Sequence, residues 1–169
     1  MSQHEKPDAS RLERAWLQMQ EKNYQSAIDE AAPLLEAEDE DLKTEGRRLS
    51  AMAHFQLQNY ELASAFFQQV SQSSGAPNDF FNLATTSALA GDINRSRIAY
   101  FSALQSAQHH TEEEHLPPPF MMFYYMQALR DAEAWENAFL VLGHLSAFYR
   151  ELQVTDDHFL YTRGVPMLS

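Results

Sequence analysis

The apolar positions of this chain recur at helical spacing in short blocks, and each block is cut by a polar break and then resumed. Leu12, Ala15, Trp16 and Met19 mark a first helix, which Ser10-x-x-Glu13 opens as a capping box. Lys22-Asn23 interrupts it, and Ala27, Ile28, Ala31, Leu34 and Leu35 mark a partner whose Pro33 shortens or kinks it. The order returns with Leu49, Ala53, Phe55 and Leu57, a break at Gln58-Asn59, then Ala63, Phe66, Phe67 and Val70. It returns again in "LATTSALAGDINRSRIAYFSAL", split at Ala90-Gly91-Asp92, and once more on either side of Glu133-Ala134. The pattern predicts helix-turn-helix units at about 10–37, 44–72, 78–107 and 117–152.

The breaks are in phase. A large residue follows each one, at Tyr24, Tyr60, Ile93 and Trp135, spaced 36, 33 and 42 residues apart. Three positions further on stands a small residue every time: Ala27, Ala63, Ser96 and Ala138. Small residues there let the two helices of a unit approach closely. The long third interval contains the inserted "HHTEEEHLPPP". A single hairpin cannot bury its apolar face alone, so repeats of this length stack on their neighbours.

These four copies resemble the tetratricopeptide repeat (TPR) family. The third unit carries the resemblance best, with Phe80, Leu83 and Ala84 in its first helix, Gly91-Asp92 at the turn, and Tyr100 and Ala103 in its second. "NYQSA" at 23–27, "NYELA" at 59–63 and "AWENA" at 134–138 mark the others. The chain departs from the family in lacking an early aromatic in units one and two, and its inter-unit prolines are missing or displaced. The resemblance implies an all-α, right-handed TPR-like solenoid of about four units with a short C-terminal helix or cap. Residues 1–9 read as a disordered tail, 10–169 as one domain, and 153–169 as its C-terminal cap or tail.

The resemblance also implies a concave groove lined by first-helix positions. Carried over, these are Leu12, Trp16 and Met19 in unit one, Arg48, Met52 and Phe55 in unit two, Phe81, Thr85 and Ala88 in unit three, and Phe123, Gln127 and Arg130 in unit four. Family members that clamp a carboxylate use Lys, Asn and Arg here. This set is mostly apolar and suits a hydrophobic or amphipathic segment, with methionine adding adaptability. The competing reading is that the stripe is core. The tail "VTDDHFLYTRGVPMLS" is apolar enough to cap unit four, to fill the groove or to support a homodimer. An N-cap at Asp156 or Asp157 and a stop at Gly164 would bound a short helix there.

Composition narrows the chemistry. The chain has 169 residues with 24 acidic and 12 basic, a net charge of -12. That charge opposes binding to nucleic acid and to anionic membranes. There are no cysteines, so disulfides, thiolate metal sites and thiol nucleophiles are excluded. The polar start MSQHEKPDAS holds no leader-like apolar run, and no run is long enough to span a membrane, which points to the cytoplasm.

No phosphate-binding loop, nucleophile elbow or dinucleotide fingerprint occurs. The His109, His110 and His115 cluster with Glu112 to Glu114 reads as a solvated loop, His54 as a packing residue, and the acidic run Glu36 to Asp41 as a connector. The expectation is a non-catalytic protein-binding module without metal or cofactor, an adaptor or small chaperone. In size and acidity it is similar to the TPR chaperones of bacterial type III secretion. The alternatives are an immunity-type inhibitor of a toxin and a self-associating structural subunit.

Overall fold

The computed structural model describes residues 5–151 except Glu113. Among the described residues it is all-helical, and its helices pack in successive pairs. The pairs are α1 (Glu5–Gln20) with α2 (Tyr24–Ala31), α3 (Glu40–Gln56) with α4 (Tyr60–Ser74), α5 (Pro77–Leu89) with α6 (Ile93–His109), and α7 (Pro118–Asp131) with α8 (Trp135–Glu151). A 3-10 segment, Ala32–Glu36, continues α2. Pro33 sits at its start, so the α-helix stops where proline would cost a backbone bond. The helix α1 is described from Glu5, ahead of Ser10, so residues 5–9, expected to lie in the disordered tail, are helical. The expected cap over 153–169 lies outside the described residues.

All four breaks have one geometry. Lys22, Gln58, Gly91 and Glu133 take positive φ of 62°, 60°, 86° and 58°. The next amide in each case bonds back to the carbonyl five residues earlier: Asn23 to Gln18, Asn59 to His54, Asp92 to Ser87 and Ala134 to Leu129, at 2.8 to 2.9 Å. The positive-φ residue donates to the carbonyl three before it, as Lys22 does to Met19 and Gln58 to Phe55. This paired closure satisfies the last carbonyls of the first helix. Only the third turn uses glycine. At the other three a left-handed residue with a Cβ costs about 1 kcal/mol, so packing after the turn must hold it.

That packing comes from the small residues three past the large ones. Ala27, Ala63 and Ser96 are fully buried and Ala138 nearly so. Ser96 also donates to the Ala84 carbonyl at 2.7 Å, tying α6 to α5. Gly46 serves the same end between units: a Cβ there would stand 2.7 Å from the Leu34 Cβ of the 3-10 segment. The acidic run is more than a connector. Asp39 caps α3 by accepting from the amides of Asp41 and Leu42, and Glu40 and Asp41 occupy its first turn, where the helix dipole favours negative charge.

The junctions between pairs differ. At the first, α3 packs on both α1 and α2. At the second, α5 packs extensively on α4 and does not pack closely on α3. At the third, α7 packs mainly on α5 and only slightly on α6. The connectors explain the change. Gly75-Ala76 is so short that the start of α5 is held against the end of α4, while His110–Pro117 lets α7 sit over α5 away from the end of α6.

Candidate binding cleft

Where α5 leans towards α4, a cleft of about 210 Å³ opens between α3 and α5, lined by Met52, Phe55, Phe67, Asn82, Thr85 and Thr86. Phe67 reaches its floor from α4 and is buried, whereas Met52, Phe55 and Thr85 are half-buried. The Thr85 hydroxyl donates to its own helix at the Asn82 and Phe81 carbonyls, and Thr86 donates to Asn82 at 2.7 Å. Those hydroxyls are satisfied internally, so the cleft presents chiefly their methyl groups and the apolar side chains. The Asn82 amide is the polar group at the wall.

One end of the cleft is pinned. Arg48 on α3 donates through Nε and Nη2 to both carboxylate oxygens of Asp79 on α5, at 3.0 and 2.7 Å. Asp79 is 3% exposed and also accepts from the Ser74 hydroxyl at 2.6 Å. Glu45 pairs with the same guanidinium. The paired carboxylate raises the Arg48 pKa further above its ordinary value. Across the back of the junction, the buried Ser64 and Ser87 hydroxyls bond at 2.9 Å and join α4 to α5. The cleft is thus held open by a two-pronged ion pair on one side and close helix packing on the other.

The twelve first-helix residues singled out by the sequence divide accordingly. Met52, Phe55 and Thr85 come together in the cleft. Leu12, Trp16 and Met19 pack against the buried Ala15, Ala27, Ala31 and Leu49 of the first pair. Phe81 packs against the main core, and Phe123 is half-buried with its ring against Tyr124. Two positions need correction. Arg48 is committed to Asp79 and Glu45 and is not a free groove contact. Ala88 is fully buried in the main core with Tyr125, so nothing outside the chain can touch it. Both follow from the tilt of the junctions, which the repeat register does not encode. Gln127 and Arg130 line a separate groove at the far end, with Met126, Trp135, Ala138, Phe139 and Leu142.

Sequence reading missed Phe67 because a first-helix rule cannot find a second-helix floor, and it missed Asn82 and Thr86 of α5 because they fall outside the first-helix positions carried over. Asp79 was also missed, although an acidic residue in the first turn of α5, two residues after Pro77, could have prompted a search for its basic partner. His54 stacks on Phe66 with ring centroids 5.8 Å apart and planes 9° off parallel, and burial lowers its pKa. His115 bonds locally to the Leu116 carbonyl, and the Leu116 amide donates to Asn78, fastening the inserted loop to α5. Among the described residues no three His, Asp or Glu side chains are grouped to hold a metal, and no helix is long and apolar enough to cross a membrane.

No protein-family model matches the chain, and neither a curated protein nor a solved structure does.

Proposed function

We propose that this chain is a TPR-like, non-catalytic protein-binding module, an adaptor or small chaperone that takes a large apolar side chain of a partner into the cleft between α3 and α5. The carrying observation is the lining: two aromatic rings, a methionine and two threonine methyls around about 210 Å³. A dry apolar cavity of roughly 150 Å³ accepts a benzene-sized group, so this cleft has room for one aromatic or branched aliphatic anchor. Its walls offer no acid, base or thiol, which leaves holding as the work the site can do. Asn82 supplies one amide to fix the orientation of the segment that carries the anchor. The four-fold recurrence of the turn geometry supports the TPR-like reading of the units.

The test is partner capture by the wild-type chain and by Phe55→Asp, with circular dichroism on both. The proposal expects capture to be lost and the helical signal kept. Unchanged capture, or loss of helix with loss of capture, contradicts it. Phe81 is a poorer probe, because it packs against the main core.

Salt separates two versions of the function. Capture of a hydrophobic segment resists added salt, whereas an inhibitor that meets a basic toxin through the surplus of acidic residues weakens with it. A self-associating subunit is the second reading. Ile98 and Phe101 on α6 and Leu140 on α8 favour it, being 68%, 50% and 61% exposed. A mass by light scattering that rises with concentration would support that reading.

A further inference from the structure

The cleft between α3 and α5 is pinned at one end by Arg48 and Asp79. Towards the other end both of its walls run on into a second hollow of about 400 Å³. Tyr60, Glu61 and Leu62 at the start of α4 wall this hollow, with the Gln58-Asn59 turn before them and Leu89 across from them at the end of α5. Leu89 lies one helical turn beyond Thr85 on α5. On the opposite wall the Tyr60 ring stands against that of Phe55, with centroids 5.8 Å apart. A partner segment with its anchor in the cleft therefore has its next residues beside Tyr60 and Glu61. The cleft is apolar, whereas the second hollow is polar and carries one charge, that of Glu61.

That charge has no counterpart nearby. From Leu49 to Gly91 the sequence has two acidic residues, Glu61 and Asp79, and no Lys or Arg. Asp79 is committed to Arg48. Glu61 is exposed, and no cation pairs with it among the described residues. The turn itself does not call for an acid, because Gln25 and Asn94 hold the same position in the first and third units. We propose that the partner segment carries a Lys or Arg beside its apolar anchor, and that Glu61 receives this cation in the second hollow. One helical turn along α5 is about 5.4 Å, and two residues of an extended chain, at about 3.3 Å each, cover it. The cation thus stands two residues from the anchor, on the same side of the strand. An ion pair this exposed adds little affinity; its work is to select the segment and set its register. The proposal rests on the cleft as an anchor site.

The probes are end-capped peptides of the form Lys-Ser-Phe-Ser-Lys and its Gln and Glu counterparts, titrated into the full chain labelled with 13C-methyl-methionine. A charge on both sides of the Phe serves either direction of the strand. Each peptide should shift the Met52 methyl. The Lys peptide should bind about two- to fivefold more tightly than the Gln peptide, the worth of one exposed ion pair, and the Glu peptide should bind most weakly. Glu61→Gln should remove the preference for Lys and leave binding of the Gln peptide unchanged. Glu136→Gln, the same change at the corresponding turn of the last unit, should keep the preference. Salt at 1 M should erase it in the wild type, since screening then acts within about 3 Å. A preference that Glu61→Gln diminishes no more than Glu136→Gln does overturns the proposal, because it then comes from the net charge of the whole chain. Equal binding of the Lys and Gln peptides to the wild type also overturns it, and shifts at Met52 in that case leave the anchor site standing. If no peptide moves Met52, the anchor site falls and the proposal falls with it.

Discussion

The second and third junctions of this chain are built from the same units and tilt in opposite directions. At the second, α5 lies against α4, and the first helices α3 and α5 stand apart with a cleft between them. At the third, α7 lies mainly against α5 and meets α6 through Tyr125, and the second helices α6 and α8 leave Ile98, Phe101 and Leu140 exposed. The repeat signature is in phase at both, so the signature does not decide which face opens. Connector length and a few side chains do. Gly75-Ala76 forces α5 onto the end of α4, and Arg48–Asp79 is what still ties α3 to α5. At the third junction the long His110–Pro117 connector frees α7, and Tyr125 locks it into the seat of α5 and α6.

The comparison breaks most severely at Tyr125. Tyr125→Ala should cost about 3 to 5 kcal/mol in urea unfolding, the range for deleting a buried aromatic. It should loosen α7 and α8 while leaving the cleft between α3 and α5 intact. Next comes Arg48→Ala, which strands the buried Asp79 carboxylate with the Ser74 hydroxyl as its remaining side-chain donor. Losing one partner of a buried pair costs about 3 kcal/mol, and here the loss should fall on the second junction alone. Hydrogen exchange on the two variants should show protection lost at opposite ends of α5.

A smaller pair of changes tests the turns that both junctions share. Gln58→Gly removes a left-handed residue with a Cβ and should raise stability, by up to about 1 kcal/mol. Gly91→Ala imposes the same strain where it is absent and should lower stability by about 1 kcal/mol. Equal signs for the two would contradict the common turn geometry. The smallest expected effect is a pH dependence. Burial lowers the His54 pKa below its ordinary 6.5, so the fold favours the neutral ring. His54 therefore supports stability fully above about pH 6.5, and the contribution is lost as pH falls from there through the depressed value. Urea midpoints at several pH values should fall on acidification, and His54→Gln should flatten that part of the profile.

What the sequence revealed and what it concealed follow the same line. The four hairpins were legible because turn and close-packing residues are local: Tyr24, Tyr60, Ile93 and Trp135 fix the phase, and Ala27, Ala63, Ser96 and Ala138 fix the crossing. Met52, Phe55 and Thr85 were legible as surface positions of first helices. Their partner Phe67 was hidden, because which second-helix residue floors a cleft depends on the tilt of one pair against the next. Ala88 and Arg48 were misplaced for that reason. Ala88 would face a groove if α5 and α7 stood apart as α3 and α5 do, but α7 covers it. Arg48 would be free if Asp79 were not brought across from α5. Capping by Asp39 was hidden by its acidic neighbours, which make the run read as solvated charge.

The central claim is that the cleft of the second junction holds a partner's apolar side chain. Its most direct measurement uses the methionine methyls as reporters, since Met52 lines this cleft, Met126 the far groove, and Met121 is fully buried in the last pair. With 13C-methyl-methionine labelling and a captured partner titrated in, Met52 should shift progressively and saturably while Met121 and Met126 stay in place. Shifts confined to Met126, or none at Met52 when the partner is fully bound, would contradict the account.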